Sequence, residues 1–197
     1  MSAYSEPSTK RAVTFFDCQN LFGVARNQWS YKHPNFNPIE LSKLIIRQNR
    51  DWALTGIRLY TGIHDFSKKP RLNQFWHRKL NAHKINDSRV YVYAAPLLYT
   101  ASGPREKGID IRIALDLIRM ARLDQYDVAI LFSQDSDFRE VAMEIRGIAR
   151  EKQRWIKIAS TCLCHKSTDP VRGIDKTDWL KISKDDYDSC IDHANYY

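Results

Sequence analysis

No run of apolar residues in this 197-residue chain approaches the roughly 20 that cross a bilayer, so no membrane span is expected. The first twelve residues, MSAYSEPSTKRA, lack the apolar core of a secretory leader, and residues 1–10 read as a disordered tail. No CxxC pair occurs among the four cysteines, Cys18, Cys162, Cys164 and Cys190. A chain of this length buries enough surface to do without disulfide staples, so reduced thiols in a cytoplasmic protein are expected. The segment Cys162-Leu163-Cys164-His165 does not have the spacing of a zinc knuckle, and the second ligand pair is missing. Also missing are a GxxxxGK[ST] phosphate loop, a legible Ser-His-Asp or Cys-His arrangement, internal repeats and low-complexity tracts. These absences leave a single domain over 11–197 whose chemistry must come from other groups.

What is present begins with charge. The net charge of +8 favours a polyanionic partner. Segments of strand and helix character then alternate. Strands are expected at 12–17, 56–63, 89–94, 126–132 and 155–160, with a further apolar stretch at 179–182. Helices are expected from Pro38, with Asn37 as cap and Glu40 three residues on, from Pro70 to about Ile85, and from Ile109 to Arg122. Others should run from Phe138 to about Gln153 and from Lys184, while 101–108 is loop by composition. The alternation predicts an α/β fold with a mainly parallel sheet flanked by helices. In such sheets functional groups gather beyond the carboxyl ends of the strands, where strand order reverses.

Acids fall at those places. Asp17 closes the first strand, Asp135 and Asp137 follow the strand 126–132, and Asp110 opens the helix 109–122. Each acid alone fits a cap or turn role. Three segments converging on one rim would instead create repulsion that a hard divalent cation relieves, and Mg²⁺ or Mn²⁺ with oxygen ligands suits such a site. Asp65, after the strand 56–63, is a further rim candidate. Asp116 is turned about 120° from Asp110 around the helix, where Arg112 and Arg119 could pair with it on the surface.

The segments FFDCQNL (15–21), KGIDIRIALDL (107–117) and LFSQDSDF (131–138) resemble the three motifs of the NYN family, a branch of the PIN-like nucleases that includes LabA-type bacterial proteins. The resemblance covers about 12–160, leaving 161–197 as a C-terminal extension. It implies a Rossmann-like PIN fold and metal-dependent cleavage of RNA, with Asp17, Asp110 and Asp135 holding the metal and Asp137 close by among the catalytic acids. It also implies support from Asn20, which braces the first motif's loop, from Ser133 beside the metal, and from Lys107 and Asp116. PIN-like proteins often pair, so a homodimer is compatible. Gln134 departs from the Gly usual in the third motif, and where that position needs a left-handed backbone Gln would strain it or shift the loop. Some family members are thought to bind RNA without cutting it, which makes an RNA-binding or adaptor module the alternative. The same acids would also serve a metal-dependent phosphatase or a DNA-directed nuclease.

Residues 68–84, KKPRLNQFWHRKLNAHK, hold six Lys or Arg and no acid. Lys68, Lys69, Arg71, Arg78 and Lys79 are expected to meet RNA phosphates. Phe75 and Trp76 share a helical face with Leu72 and Leu80, which points to core packing in place of base stacking. A second basic run, Arg146, Arg150, Lys152, Arg154 and Lys157, is either a solvated face or a flank of the same groove.

Overall fold

The computed structural model describes residues 4–32 and 35–197; residues 1–3 of the expected tail lie outside this set. The first half of the chain forms β1 (Lys10–Asp17), α1 (Cys18–Trp29), α2 (Pro38–Gln48), β2 (Trp52–Ile63), α3 (Pro70–Asn86) and β3 (Val90–Pro96). There follow β4 (Leu98–Thr100), β5 (Gly103–Arg105), α4 (Ile109–Arg122) and β6 (Val128–Phe132). The last elements are α5 (Phe138–Glu151), β7 (Lys157–Cys164), β8 (Asp178–Ser183) and α6 (Lys184–Asp188).

Six strands make one sheet in the order β3-β2-β1-β6-β7-β8, and every neighbouring pair is parallel. The chain builds outward from β1 on one side and then returns to start the other side at β6. Strand order therefore reverses between β1 and β6, and a crevice opens beyond their carboxyl ends.

These two central strands are apolar because both faces are covered. Along β6, Val128, Ile130 and Phe132 enter one core while Ala129 and Leu131 enter the other. The first core packs under α1 and α2, and the second under α4 and α5. Phe16 and Phe132 are partners in register and stack with ring centroids 4.0 Å apart. Such a pair contributes about 0.5–1.5 kcal/mol beyond its burial, and here it clamps the strand ends just before the acids.

The capping expected for α2 is present in part. Asn37 Oδ1 accepts from the N–H groups of Ile39 (3.0 Å) and Glu40 (3.4 Å). Glu40 does not complete a capping box; its carboxylate takes Lys43 at 2.9 Å, and the Asn37 N–H donates to the Cys190 carbonyl.

Three segments differ from expectation: Lys10, placed at the end of the expected tail, is the buried first residue of β1. Residues 18–29, which carry no predicted element, form α1, with Leu21, Ala25 and Trp29 buried at intervals of four and Asp17 as N-cap. The segment 101–108, expected as loop, contributes β5, which pairs with β4 as a short antiparallel hairpin. Gly103 turns this hairpin at φ 110°, which a side chain would resist. The four cysteines are free and buried.

Candidate active site

The carboxyl ends of β1 and β6 deliver two of the predicted acids to one cleft of about 320 Å³, and the opening turn of α4 delivers a third. Asp17, Asp110 and Asp135 line it, together with Asn20 and Glu106. Asp17 is 7% exposed. Its Oδ1 accepts from the Asn20 N–H at 3.1 Å, which caps α1, and its Oδ2 accepts from Ser133 Oγ at 3.3 Å. Ser133 Oγ in turn accepts from the Asp135 N–H at 3.2 Å, so one hydroxyl joins the loops after β1 and β6. A second tie lies beside it: Asn20 Oδ1 accepts from the Gln134 N–H at 2.9 Å. Gln134 is not among the residues of positive φ, so the strain that a left-handed backbone would impose is absent.

Burial raises the Asp17 carboxyl to about 6, assisted by the charges of Asp135 and Asp110, against the lowering effect of its two hydrogen bonds. None of the four carboxylates lining the cleft has an ion-pair partner among the described residues. The N-terminus of α4 also faces this space through Gly108 and Ile109. Gly108 adopts φ 73°, in the left-handed region, and offers no side-chain cap, so the acid that meets the partial positive charge of the helix end is Asp110 in its first turn.

Glu106 is the acid that sequence reasoning missed. Its Oε1 accepts from the Gly62 N–H at the end of β2. Glycine leaves room for that approach, because a Cβ on residue 62 would press on the side chains of Leu97 and Glu106. Burial pushes the Glu106 carboxyl up to about 7, with Asp17 and Asp110 adding to the shift. The available signal was an acid four residues before Asp110, in the loop that opens α4.

Other predicted residues lie elsewhere. Asp137 is exposed outside the cleft lining; its N–H donates to Asp135 Oδ1 at 3.0 Å and its side chain makes no cap. Lys107 is exposed and does not line the cleft. Asp116 is buried and does not sit on the helix surface: Tyr60 donates to it at 2.8 Å, and Arg112 and Arg58 flank it at 3.1 and 3.4 Å. Asp65 forms a turn, accepting from the Ser67 N–H at 2.7 Å.

Of the five expected phosphate contacts, Lys68, Lys69, Arg71 and Arg78 are exposed. Lys79 is not. It is buried against Asp192 (3.5 Å) and Asn35, and burial lowers its pKa. An ammonium inside a helix-packing layer cannot reach a phosphate, so this expectation is corrected. Phe75 and Trp76 line an apolar cavity of about 410 Å³ with Leu72 and Leu80, in keeping with a packing role. In the second basic run, Arg154 pairs with Asp127 at the opposite end of the sheet, and Lys157 pairs with Asp178.

The cleft offers carboxylate, amide and backbone oxygen, with no sulfur or imidazole. Among the described residues no three His, Cys, Asp or Glu side chains form a ready-made metal cage. The donor set fits a hard divalent cation that keeps several waters and takes only one or two carboxylates directly.

Comparisons with known proteins place this geometry in context. A protein-family model described as NYN domain matches residues 11–166. No curated protein matches the chain. A solved structure of a protein of unknown function from Vibrio parahaemolyticus RIMD 2210633 superposes with a TM-score of 0.59 at 19% identity, covering 92% of this chain and 98% of that one. This likeness supports the fold alone.

Proposed function

The chain belongs to the NYN domain family, a branch of the PIN-like nucleases, and from that premise we propose that it is a metal-dependent endoribonuclease. The observation that carries the proposal is the cleft at the strand-order reversal, where Asp17, Glu106, Asp110 and Asp135 meet without a cationic partner among the described residues. Asp17, Asp110 and Asp135 are the groups to hold Mg²⁺ or Mn²⁺. When bound, such an ion lowers the pKa of a water and screens the charge on a phosphodiester oxygen.

The chain's own residues do the rest. Ser133 holds Asp17 and the loop of Asp135 in one register, and Asn20 fixes the Gln134 backbone beside them. Glu106, which lines the same cleft, is the carboxyl placed to act as general acid or base. With Oε1 engaged by Gly62, Oε2 is the oxygen free to carry a proton. Asp137 supports the site by donating its N–H to Asp135. Lys68, Lys69, Arg71 and Arg78 neutralise RNA phosphates. Residues 11–197 act as one unit, in a reducing compartment such as the cytoplasm, which suits four free, buried thiols. The backbone at Gln134 is not left-handed, so strain is set aside as a motive for the non-cleaving alternative, and a loop reshaped around Gln134 is the motive left to it.

The test is cleavage of a panel of RNAs under Mn²⁺ by the wild type and by Asp135→Asn. Loss of activity by at least about a hundredfold is expected, since even groups behind a metal's ligands cost about 10–100-fold. Equal cutting by both proteins, or none by the wild type, would sink the proposal.

A further inference from the structure

The loop leaving β2 and the β4–β5 hairpin stand side by side at the carboxyl end of the sheet, and their foot is the acidic cleft. Arg105 ends β5 and is exposed; the next residue, Glu106, already lines the cleft and bonds to Gly62 at the end of β2. The hairpin is held to the loop by three contacts. The Leu97 N–H donates to the Ile63 carbonyl at 2.9 Å, His64 Nδ1 lies 3.0 Å from Tyr99 Oη, and Lys68 Nζ lies 3.9 Å over the Tyr99 ring.

On this wall Phe66 is 58% exposed and Leu98 is 50% exposed. A solitary exposed apolar side chain needs no explanation. Phe66, however, occupies a braced turn. Asp65 Oδ1 takes the Ser67 N–H at 2.7 Å, and the Asp65 carbonyl takes the N–H groups of Lys68 (3.2 Å) and Lys69 (2.9 Å). The ring is thus presented by a fixed backbone among the exposed cations Lys68, Lys69 and Arg71. An exposed aromatic ring on a braced loop that also carries exposed cations is the chemistry that holds a single nucleic-acid strand: cations track the phosphates, and the ring stacks a base. A base within a duplex is already covered on both faces, so such a ring favours an unpaired one.

We propose that the wall formed by the β2–α3 loop and the β4–β5 hairpin grips single-stranded RNA beside the cleft, with Phe66 stacking an unpaired base. This rests on the reading of RNA as substrate and names which form of RNA the site takes. Phe75 and Trp76 are committed to the cavity between helices, and the stacking role falls to a residue that sequence patterning did not single out.

The experiment measures binding in EDTA, without divalent cation, of a short single-stranded RNA carrying 2-aminopurine and of its duplex. The proteins are wild type, Phe66→Ala and Phe66→Trp. Phe66→Ala should weaken single-strand binding about tenfold and abolish the fluorescence change of the probe, while Phe66→Trp should retain both. The dependence on salt should be unchanged in Phe66→Ala, because no charge is removed. Wild-type affinity in Phe66→Ala, equal affinity of the wild type for duplex and single strand, or no binding of either RNA overturns the inference. Mn²⁺-dependent cleavage is scored separately. Cleavage without stacking removes only the platform, and stacking without cleavage removes only the nuclease.

Discussion

At one end of β1, Arg11 lies against Asp127 at the start of β6; at the other end, Asp17 faces Asp135 in the loop after β6. Asp127 and Asp17 are equally hidden, at 5% and 7% exposure. Burial pushes both carboxyls upward. For Asp127 the push is overcome by Arg11, which donates from its N–H (2.8 Å) and guanidinium (3.0 Å), and by Arg154 at 2.8 Å, leaving the carboxyl at about 2. Asp17 receives only a backbone N–H and a hydroxyl, faces other acids, and stays at about 6. The same residue type at the two ends of one strand pair therefore serves opposite ends. Where guanidinium groups are supplied, the carboxylate locks the fold; where they are withheld, it remains available to a cation from outside.

The sharpest way to break this comparison is to neutralise each acid. Asp127→Asn should destabilise the protein by about 2 kcal/mol, because it removes a buried carboxylate from between Arg154 and the half-exposed Arg11. Asp17→Asn should leave stability unchanged or raise it, since Asn still caps α1 and the repulsion with Asp135 and Asp110 is removed. Urea unfolding of the two variants distinguishes them, and equal losses would erase the distinction between the two ends.

Next in size is the dependence on pH. Asp127 titrates lower in the fold than its ordinary 3.8, so the stability it adds is present above about pH 4 and is lost as pH falls toward about 2. Asp17 and Glu106 have the opposite sign. Their folded values of about 6 and about 7 exceed the ordinary 3.8 and 4.5, so the folded state binds more protons and stability falls as pH rises from about 4 to about 7. Adding Mn²⁺ should reverse that fall, raising Tm more at about pH 7.5 than at about pH 5.5. A shift in Tm that does not depend on pH would mean that the ion binds away from Asp17 and its neighbour Glu106.

The smallest effect sharpens the same contrast in α3 and the loop before it. Lys69→Ala should lower the salt slope of RNA binding by about 1, as the loss of one phosphate contact does. Lys79→Met should leave that slope unchanged and show itself in unfolding instead, because Lys79 faces Asp192 inside the fold. A loss of slope in Lys79→Met would restore it to the RNA surface.

Much of this was legible in the chain. The strand and helix alternation and the acids at strand ends follow from local periodicity and residue type, the motifs came from the family resemblance, and the sheet bears out the α/β expectation. Helix α1 escaped notice because its apolar positions are sparse and Asp17, read as a metal group, is also its cap. The angle around α4 separated Asp116 from Asp110 correctly but could not say that Tyr60 and Arg58 of β2 would wait on that side. Lys79 sits among outward cations, and charge patterning alone does not tell which of them turns inward.

What the sequence by itself determined is which side chains can do chemistry and which strand ends carry them, because both depend on residue type and on periods of two and 3.6. Only the tertiary structure decided which carboxylates remain without cations. That outcome depends on partners far away along the chain: Gly62 for Glu106, Ser133 for Asp17, and Arg11 with Arg154 for Asp127. Electrostatic interaction falls with distance in space and takes no account of separation along the chain, so folding, and not local pattern, sets the charge state of each acid.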